Sequence, residues 1–341
     1  GGRTMINKIA IAGCGNVGAA LLELLQEKKS ELKSKYGFDY IVTFIAGRSK
    51  GTVMNPDGLN IENIIEELHA NGSFKKFPQA HGSFSELLKK SGATMLAEAT
   101  PTDLTTGEPG LSHIMSALEM GIDVTTTNKG PIALKFSELA LAAKNSGAKL
   151  RYEGVIMAGT PVIKGISEGL AGCKIQKAEG ILNGTTNFIL TKMAGGMTYL
   201  SALDEATAMG YAEADPTGDV EGWDAAVKVS IMARIFFDED MPVSVIDRTG
   251  ISRITPDDIA AAKKSSCSIK LIAGIKNDGG RLLGYVKPMR IPFSAPLSSI
   301  NGALNALTVT TDNLGDVTFI GAGAGRKETA QALLADIISM A

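Results

Sequence analysis

Asp224 and Lys228 are the side chains in this sequence whose types and spacing best suit acid–base chemistry. They stand four residues apart in the stretch 223–237, whose apolar pattern predicts a helix, so they share one helical face. A lysine there can protonate or stabilise an oxygen that becomes negative during a reaction, and the aspartate can hold that lysine in place. The alternative is an exposed surface ion pair, which contributes only a few tenths of a kcal/mol. The residues alone leave both interpretations open.

A glycine-rich segment near the N-terminus has the spacing of a dinucleotide-binding loop. Gly13, Gly15 and Gly18 follow a β-rich run and precede a helical pattern, which is the context that this motif requires. The three glycines permit a tight turn, a close approach of the pyrophosphate and close helix–strand packing, respectively. Asn16 and Val17 open the helix, whose N-terminal N–H groups attract phosphates. An ordinary glycine-rich turn is the alternative.

The end of the second predicted strand indicates which dinucleotide fits. NAD-binding proteins usually place Asp or Glu there to bind the ribose 2′-hydroxyl. This chain instead has Arg48, followed by Ser49 and Lys50. A guanidinium at this place can pair with the 2′-phosphate of NADP. The sequence therefore predicts NADP as the cofactor, with NAD as the alternative, unless Arg48 and Lys50 are merely solvated loop charges.

The composition argues against several other classes of protein. The formal net charge is -2 and no basic block marks a nucleic-acid-binding surface, so we expect small-molecule partners. The three cysteines are far apart and form no Cys-x-x-Cys pair, which argues against a disulfide framework or a zinc site. The three histidines are scattered, so we interpret them as ordinary surface or hydrogen-bonded residues. No apolar run reaches the roughly 18 residues of a membrane span and no signal sequence is evident, so we expect a cytoplasmic protein with no membrane partner.

The elements that must position these residues alternate regularly over the first half of the chain. Strands are predicted at 8–12, 40–46, 94–99 and 123–127, and helices at 16–35, 61–71, 84–91, 112–120 and 136–146. The continuous apolar run at 40–46 is typical of a parallel strand covered on both faces. The fold class predicted is α/β, with a Rossmann-like doubly wound parallel sheet.

The second half mixes strands and helices less regularly and predicts an α+β domain. Strands are expected at 150–152, 174–182, 268–276, 282–288 and 306–311, and helices at 162–170, 186–193, 199–209, 223–237 and 327–338. We expect a dinucleotide-binding domain over 5–148 and a substrate-binding and dimerisation domain over 149–312. The C-terminal segment 313–341 is expected to return to the nucleotide domain.

The stretch 210–228 carries a more specific signal than the glycine loop. It reads Gly-Tyr-Ala-Glu-Ala-Asp-Pro, then Asp219, then Gly-Trp-Asp-Ala-Ala-Val-Lys. This pattern resembles the homoserine dehydrogenase signature, and similar segments lie at 99–114, 126–130, 153–161, 180–190 and 321–325. The resemblance covers nearly the whole chain after Met5. It implies NAD(P)-dependent interconversion of L-aspartate 4-semialdehyde and L-homoserine, a step in threonine, methionine and isoleucine biosynthesis. It also implies the short form of the family, without a kinase or C-terminal regulatory domain.

The resemblance implies roles for particular residues. Lys228 is the implied proton donor and Asp224 its partner, whereas Lys129 contacts both cofactor and substrate and is a second candidate for the catalytic role. The acids Glu213 and Asp219 are implied to bind the substrate. Further implied contacts are a backbone contact to substrate at Gly210, a contact on the nicotinamide side at Thr100, and the C-terminal turn with Gly321 and Gly323 beside the cofactor. The plain alternatives are loop solvation, turn residues and surface charges.

Two further properties follow only from the resemblance. The segment that begins at Glu153 is implied to bind a monovalent cation, usually sodium, through Glu153, Ile156, Ala158 and Thr160. Met157 departs from the small residue that is commoner at this place in the family. The implied assembly is a homodimer or a dimer of dimers, and the apolar runs 174–182 and 268–276 supply a candidate interface or, alternatively, a monomer core.

Two rival functions remain at this point. A different Rossmann oxidoreductase that uses a lysine would share the nucleotide loop, but it would not be expected to reproduce the 210–228 pattern. A nucleotide-sensing protein without catalysis should have lost one of Lys129, Asp224 or Lys228, yet all three are present. Oxidation of homoserine assayed with NAD and NADP separately distinguishes these functions.

Overall fold

Two six-stranded sheets, one in each of two units of the chain, organise residues 6–341, which the computed structural model describes. The first unit contains the chain up to Gly159 together with Gly325–Ala341, and the second contains Thr160–Ala324. Residues 313–324 thus belong to the second unit, and only the last 17 residues count with the first.

The first unit alternates strands and helices and recruits the last helix of the chain. Its elements are β1 (Asn7–Ala12), α1 (Asn16–Tyr36), β2 (Tyr40–Gly47), β3 (Gly51–Met54), α2 (Ile61–Asn71), α3 (Phe84–Ser91), β4 (Met95–Glu98), α4 (Gly110–Glu119), β5 (Asp123–Thr126), α5 (Lys129–Ser146), β6 (Leu150–Arg151), α6 (Gly154–Met157) and α13 (Arg326–Met340).

The sheet of the first unit has the strand order β3-β2-β1-β4-β5-β6. Every neighbouring pair is parallel except β2 and β3. The chain leaves β1 toward β2 on one side and later returns to place β4 on the other side. The order therefore reverses between β1 and β4, and a crevice for a ligand is expected beyond the carboxyl ends of these two strands.

Helices α1 and α13 pack together over this sheet and bury its core. Apolar side chains recur along α1 at helical spacing, and Leu21, Leu25 and Leu32 are fully buried beside Leu333 and Ile337 of α13. Since this packing involves residues about 300 positions apart, the C-terminal helix is an integral part of the first unit.

The second unit is built on a largely antiparallel sheet. Its elements are α7 (Val162–Ser167), β7 (Ile175–Ile181), α8 (Gly184–Ala194), α9 (Tyr199–Ala208), α10 (Thr217–Val220), α11 (Trp223–Phe237), β8 (Asp247–Arg248), α12 (Pro256–Lys264), β9 (Cys267–Asp278), β10 (Arg281–Pro292), β11 (Leu304–Thr311) and β12 (Gly315–Ala322).

The strand order of this sheet is β12-β11-β7-β9-β10-β8, and only the β10–β8 pair is parallel. Helices α8, α11 and α12 pack against the sheet. The apolar run of β9 is buried within the chain from Ile269 to Ile275. Burial by the chain's own elements therefore explains why this run, one of the two considered for an interface, is apolar.

The observed elements confirm the predicted α/β class and correct the prediction in several places. The first sheet carries an antiparallel edge strand, β3, that was not predicted, and the second gains the edge strand β12. Both edge strands are short or half-exposed, so their apolar pattern is weak. Helix α5 begins at Lys129 rather than at 136, because Pro131 lies in its first turn and the helix is kinked at Lys135. Helix α12 was also not predicted.

Candidate active site

The glycine loop lies where β1 ends and α1 begins, and it lines a cleft of about 970 Å³ in the first unit. Gly13, Gly15, Asn16 and Val17 all contribute to the lining of this cleft. A Cβ added at Gly15 would meet no atom within 4 Å, so the backbone there is open to a ligand. Such an opening at a helix N-terminus fits a pyrophosphate.

Gly13 and Gly18 are needed for the shape of this loop. Gly13 has φ +88°, and a Cβ on it would lie 2.5 Å from the carbonyl oxygen of Ala99. A Cβ on Gly18 would lie 1.9 Å from the carbonyl oxygen of Gly13. Any larger residue at either position would push the loop away from β4 or the helix away from the loop, so Gly18 acts by packing rather than by lining the cleft.

The end of β2 brings positive charge to the same cleft. Arg48, Ser49 and Lys50 all line it. The acidic residues of the lining are Asp103 and Glu108, which follow β4 rather than β2. The strand end that usually carries the ribose-binding acid thus presents cationic side chains.

An apolar part of the cleft contains a histidine that sequence reasoning treated as ordinary. Phe44, Phe84, Leu87 and His113 line the cleft together, and the rings of Phe84 and His113 stack with centroids 3.9 Å apart. Burial lowers the pKa of His113 to about 4, so the imidazole is neutral near pH 7. Its position on α4 relative to α3 depends on tertiary packing, which explains why the sequence did not reveal it.

Thr100 and Lys129 follow neighbouring strands of the first sheet, β4 and β5. Thr100 lines the cleft. Lys129 is the first residue of α5, and the side chain of Asn128 caps that helix by accepting the N–H of Gly130 at 3.2 Å. Both residues therefore stand at the carboxyl edge of the sheet, as their sequence positions predicted.

In the second unit, the buried Lys228 pairs with the half-buried Asp224. Lys228 is 6% exposed, and its Nζ lies 2.9 Å from Oδ2 of Asp224 and donates to the carbonyl of Leu182 at 2.6 Å. A surface ion pair is therefore the wrong description. Because a buried ammonium is costly unless it is paired and hydrogen-bonded, these contacts account for its place in the fold.

Asn183 joins the second acid to this pair. Its Nδ2 donates to Oδ1 of Asp219 at 2.7 Å and to Oδ2 of Asp224 at 3.2 Å. Burial raises the pKa of Asp219, and the hydrogen bond from Asn183 opposes that rise. Leu182 and Asn183 were not singled out from the sequence. The Asn-Gly-Thr-Thr run after β7 was the available signal, because Asn183 also caps α8 by accepting the N–H of Thr186.

Gly210 and Glu213 lie in the loop between α9 and α10 and are exposed. Glu213 is not part of the hydrogen-bonded cluster of Asn183, Asp219, Asp224 and Lys228. The structure thus brings Asp219 to the Asp224–Lys228 pair but leaves Glu213 in the solvent-facing part of the same loop.

The segment implied to bind a cation has a buried carboxylate and a sharply turned backbone. Glu153 is buried, and Ala158 ends α6 with φ 46° and ψ -123°. Met157 is fully buried. The carbonyl of Thr160 accepts the N–H of Val162 at 2.8 Å. In the described part of the chain, no group of three or more His, Cys, Asp or Glu side chains is arranged to hold a metal ion, so any cation at this segment would depend on backbone oxygens.

The C-terminal glycines occupy two different settings. Gly321 lies within β12, not in the predicted turn, and a Cβ on it would come within 2.2 Å of Oγ1 of Thr160. Gly323 follows the strand and packs against the fully buried Asn305. Both positions therefore require glycine for close packing within the second unit.

Known families match both halves of the chain. A model described as the homoserine dehydrogenase, NAD binding domain, matches residues 13–153, and a model described as homoserine dehydrogenase matches residues 161–338. The NAD(+)-dependent homoserine dehydrogenase of Pseudomonas canavaninivorans is 42% identical over 97% of this chain and 95% of its own length. The homoserine dehydrogenase of Methanocaldococcus jannaschii is 39% identical over 97% of each chain.

Solved structures show the same similarity. A putative homoserine dehydrogenase from Archaeoglobus fulgidus has a TM-score of 0.89 and 34% identity, and the match covers 98% of this chain and 99% of that one. A hyperthermophilic archaeal homoserine dehydrogenase mutant in complex with NADPH has a TM-score of 0.84 and 30% identity, with 98% of each chain covered. Among the described residues, no helix is both long and apolar enough to cross a membrane.

Proposed function

The chain belongs to the homoserine dehydrogenase family, whose two models match nearly all of it, and on this basis we propose how it works. It is an NAD(P)-dependent oxidoreductase that interconverts L-aspartate 4-semialdehyde and L-homoserine. The observation that carries the residue assignments is the ion pair of the buried Lys228 with Asp224, which is joined through Asn183 to Asp219. The first unit binds the dinucleotide, and the second binds the amino-acid substrate.

Lys228 is the proposed acid–base residue. The bound nicotinamide supplies or takes up the hydride, and the chain must manage the proton and the charge on the substrate oxygen. As the semialdehyde is reduced, its oxygen becomes negative, and Nζ of Lys228 stabilises that oxygen and donates a proton to it. Asp224 pairs with the ammonium of Lys228 and orients it. Lys129 is the second candidate for this proton transfer.

Asp219 and Glu213 are the proposed partners of the substrate ammonium, with a backbone contact at Gly210. The carboxylate of Asp219 is oriented by Asn183 and partly buried, which suits a contact with a charged group. Glu213 is exposed in the same loop, so we propose that it contributes by attracting the ammonium rather than by a preformed hydrogen bond.

The function is tested by following dinucleotide reduction with L-homoserine and, in reverse, dinucleotide oxidation with aspartate semialdehyde. Activity with this pair and little with other amino alcohols or aldehydes is expected. A purified, folded chain that binds the dinucleotide yet turns over neither substrate would contradict the assignment.

We further propose that NADP is used at least as well as NAD. Arg48, Ser49 and Lys50 stand in the cleft at the end of β2, where no acid competes for the ribose. One relative at 30% identity was solved with NADPH, whereas the relative at 42% identity is named as NAD(+)-dependent. The relatives thus include both preferences, and the local charge at Arg48 favours the 2′-phosphate.

Replacement of Arg48 by alanine tests this preference. Arg48→Ala should lower kcat/KM with NADP by about ten- to a hundredfold, because a charge-assisted hydrogen bond is worth about 1.5–3 kcal/mol. Its kcat/KM with NAD should hardly change. Lys75→Ala, at a lysine outside the cleft lining, is the control. Better efficiency with NAD than with NADP in the wild type, unchanged by Arg48→Ala, would refute the preference.

A monovalent cation such as sodium remains a proposal for the segment from Glu153 to Thr160. Its support is the buried carboxylate of Glu153 and the turn at Ala158, which leave oxygen donors suited to a hard cation. The proposed ligands are Glu153, Ile156, Ala158 and Thr160.

A further inference from the structure

Glu98 is a fully buried carboxylate at the last position of β4. Its hydrogen-bond partners are all neutral groups, which belong to Thr100, Thr126 and Asn128. Oε1 accepts the N–H of Thr100 at 2.9 Å and also contacts the hydroxyl of Thr100, and Oε2 lies 2.9 Å from the hydroxyl of Thr126. Burial raises the pKa of Glu98, and these hydrogen bonds oppose the rise. An acid in such a place is costly for stability, and none of the roles assigned so far uses it.

The hydrogen-bond partners of Glu98 determine the roles of its two oxygens, Oε1 and Oε2. Oε1 accepts a backbone N–H, so it presents a lone pair on the side of Thr100. The hydroxyl of Thr126 accepts the N–H of Asn128 at 3.0 Å and donates its own hydrogen to Oε2 at 2.9 Å. Both groups of Thr100 donate to Oε1 and the hydroxyl of Thr126 donates to Oε2, so each oxygen of Glu98 acts as an acceptor in this arrangement.

The hydroxyl of Thr100 must then donate its hydrogen to Oε1. The same hydroxyl oxygen lies 3.3 Å from Nδ2 of Asn128, a donor that is also within reach of the carbonyls of Thr100 and Pro101, so Asn128 presents N–H groups and no acceptor to this hydroxyl. A hydroxyl has one hydrogen and two lone pairs. Since its hydrogen is committed to Glu98, the oxygen of Thr100 can meet a ligand in the cleft only as an acceptor.

We propose that Glu98 is a positioning residue that makes Thr100 an obligate acceptor for the amide N–H of the nicotinamide carboxamide. This inference rests on the proposed contact between Thr100 and the nicotinamide. A carboxamide presents both a carbonyl acceptor and an NH₂ donor. A freely rotating hydroxyl can donate to the carbonyl or accept from the NH₂ group, so it would bind either end. Glu98 removes that choice and so favours one orientation of the carboxamide over its flipped alternative.

The test uses a dinucleotide that lacks the amide donor. The acetylpyridine analogue of NADP replaces the carboxamide by an acetyl group, which keeps the carbonyl and loses the N–H. The measured quantity is the ratio of kcat/KM for NADP to kcat/KM for the analogue, with homoserine as substrate. The different intrinsic redox properties of the two dinucleotides cancel when this ratio is compared between variants.

Glu98→Met and Thr100→Val should each lower this ratio by about three- to tenfold, the scale of one neutral hydrogen bond. The double variant should lower it no further, because both changes remove the same interaction. Glu98→Gln can keep its carbonyl oxygen toward Thr100 and should retain most of the wild-type ratio. Thr126→Val removes the partner of Oε2 and of the Asn128 N–H but no contact of Thr100, and it is the matched control, with the ratio preserved.

Several results would overturn the inference. If Glu98→Met lowers kcat/KM equally for both dinucleotides, Glu98 has only a structural role. Additive effects in the double variant would likewise show that Glu98 does not act through Thr100. Thr100→Val alone decides the matter should Glu98→Met not fold, since an unchanged ratio in that variant excludes the acceptor role. Failure of the wild type to oxidise homoserine with either dinucleotide would instead refute the proposed function.

Discussion

The ammonium group of Lys228 is buried, and two contacts stabilise it there. Its Nζ is held by a carboxylate from the same helix and by the carbonyl of Leu182 at the end of β7. Such fixed contacts mean that the ammonium needs little reorganisation when charge develops on a substrate oxygen. We therefore expect Lys228 to stabilise the transition state more than it stabilises the bound ground state.

Replacement of Lys228 should affect turnover far more than binding. We expect Lys228→Ala to lower kcat by about a hundred- to ten-thousandfold, the usual scale for a positioned acid–base group. The dissociation constant of NADPH, measured by its own fluorescence, should barely change. Lys276→Ala, at an exposed lysine on β9, is the matched control and should leave kcat unaltered.

Two further variants, Glu213→Ala and Lys129→Ala, are compared with Lys228→Ala. Glu213→Ala should raise the KM for homoserine more than it lowers kcat, since it removes an electrostatic attraction that acts on the ground-state substrate. Lys129→Ala measures how much of the proton transfer depends on the other lysine. Near-normal turnover of a folded, dinucleotide-binding Lys228→Ala protein would transfer the catalytic role to Lys129.

At the scale of elements, the start of α11 is held from outside the helix by Arg248 of β8. The guanidinium of Arg248 lies 3.6 Å from the centre of the Trp223 ring and donates to the carbonyl of Glu221. The backbone N–H of Ile251 also donates to the carbonyl of Val220 at 2.8 Å. Because Asp219 precedes this junction and Asp224 follows it, Arg248 helps to set the distance between the two acids.

Trp223 is the single tryptophan of the chain, so its fluorescence reports on this junction alone. Arg248→Met should increase quenching of Trp223 by acrylamide, because the ring is already 43% exposed and loses its cover on one face. The KM for homoserine should rise about three- to tenfold as the acids lose their spacing, on the scale of one lost hydrogen bond.

Arg234→Met is the control for this prediction, since Arg234 lies near the other end of α11 and pairs with the exposed Asp238 and Asp240. It should change neither the quenching nor the KM. If Arg248→Met keeps both wild-type values, the stacked arginine contributes nothing to the position of α11.

At the scale of the whole molecule, the assembly is a prediction that the single chain does not test. Family resemblance implies pairing through the second unit, and we expect a homodimer or a dimer of dimers. The apolar run of β9 is buried within the chain itself and does not argue for this. Exposed apolar side chains at the margins of the second sheet, such as Ile320, Leu304 and Phe293, offer a better starting point.

Light scattering at micromolar protein concentration decides the oligomeric state. We expect a mass of two or four chains. Ile320→Lys, on the edge strand β12, should shift the mass toward that of one chain if this edge takes part, whereas Leu141→Lys on the exposed face of α5 in the first unit should not. A wild type with the mass of a single chain would refute the predicted assembly.

Sequence by itself determined the features that depend on local pattern. The strand–glycine–helix order of the nucleotide loop and the pairing of Asp224 with Lys228 were both predicted, because loop and helix geometry follow from residues a few positions apart. Most element bounds of the first unit were predicted for the same reason, since buried parallel strands and amphipathic helices have strong periodic signals.

Only the tertiary structure decided which residues meet across long stretches of chain. It placed Asn183 between Asp219 and Asp224, brought Glu98 against Thr126 of the next strand, and put His113 beside Phe84 in the cleft. It also left Glu213 exposed while burying Lys228. Such contacts depend on how strands and helices pack against one another, and a single sequence carries no local signal of that packing. The desolvation that decides whether an acid or a lysine is a surface charge or a functional group is set by the same packing.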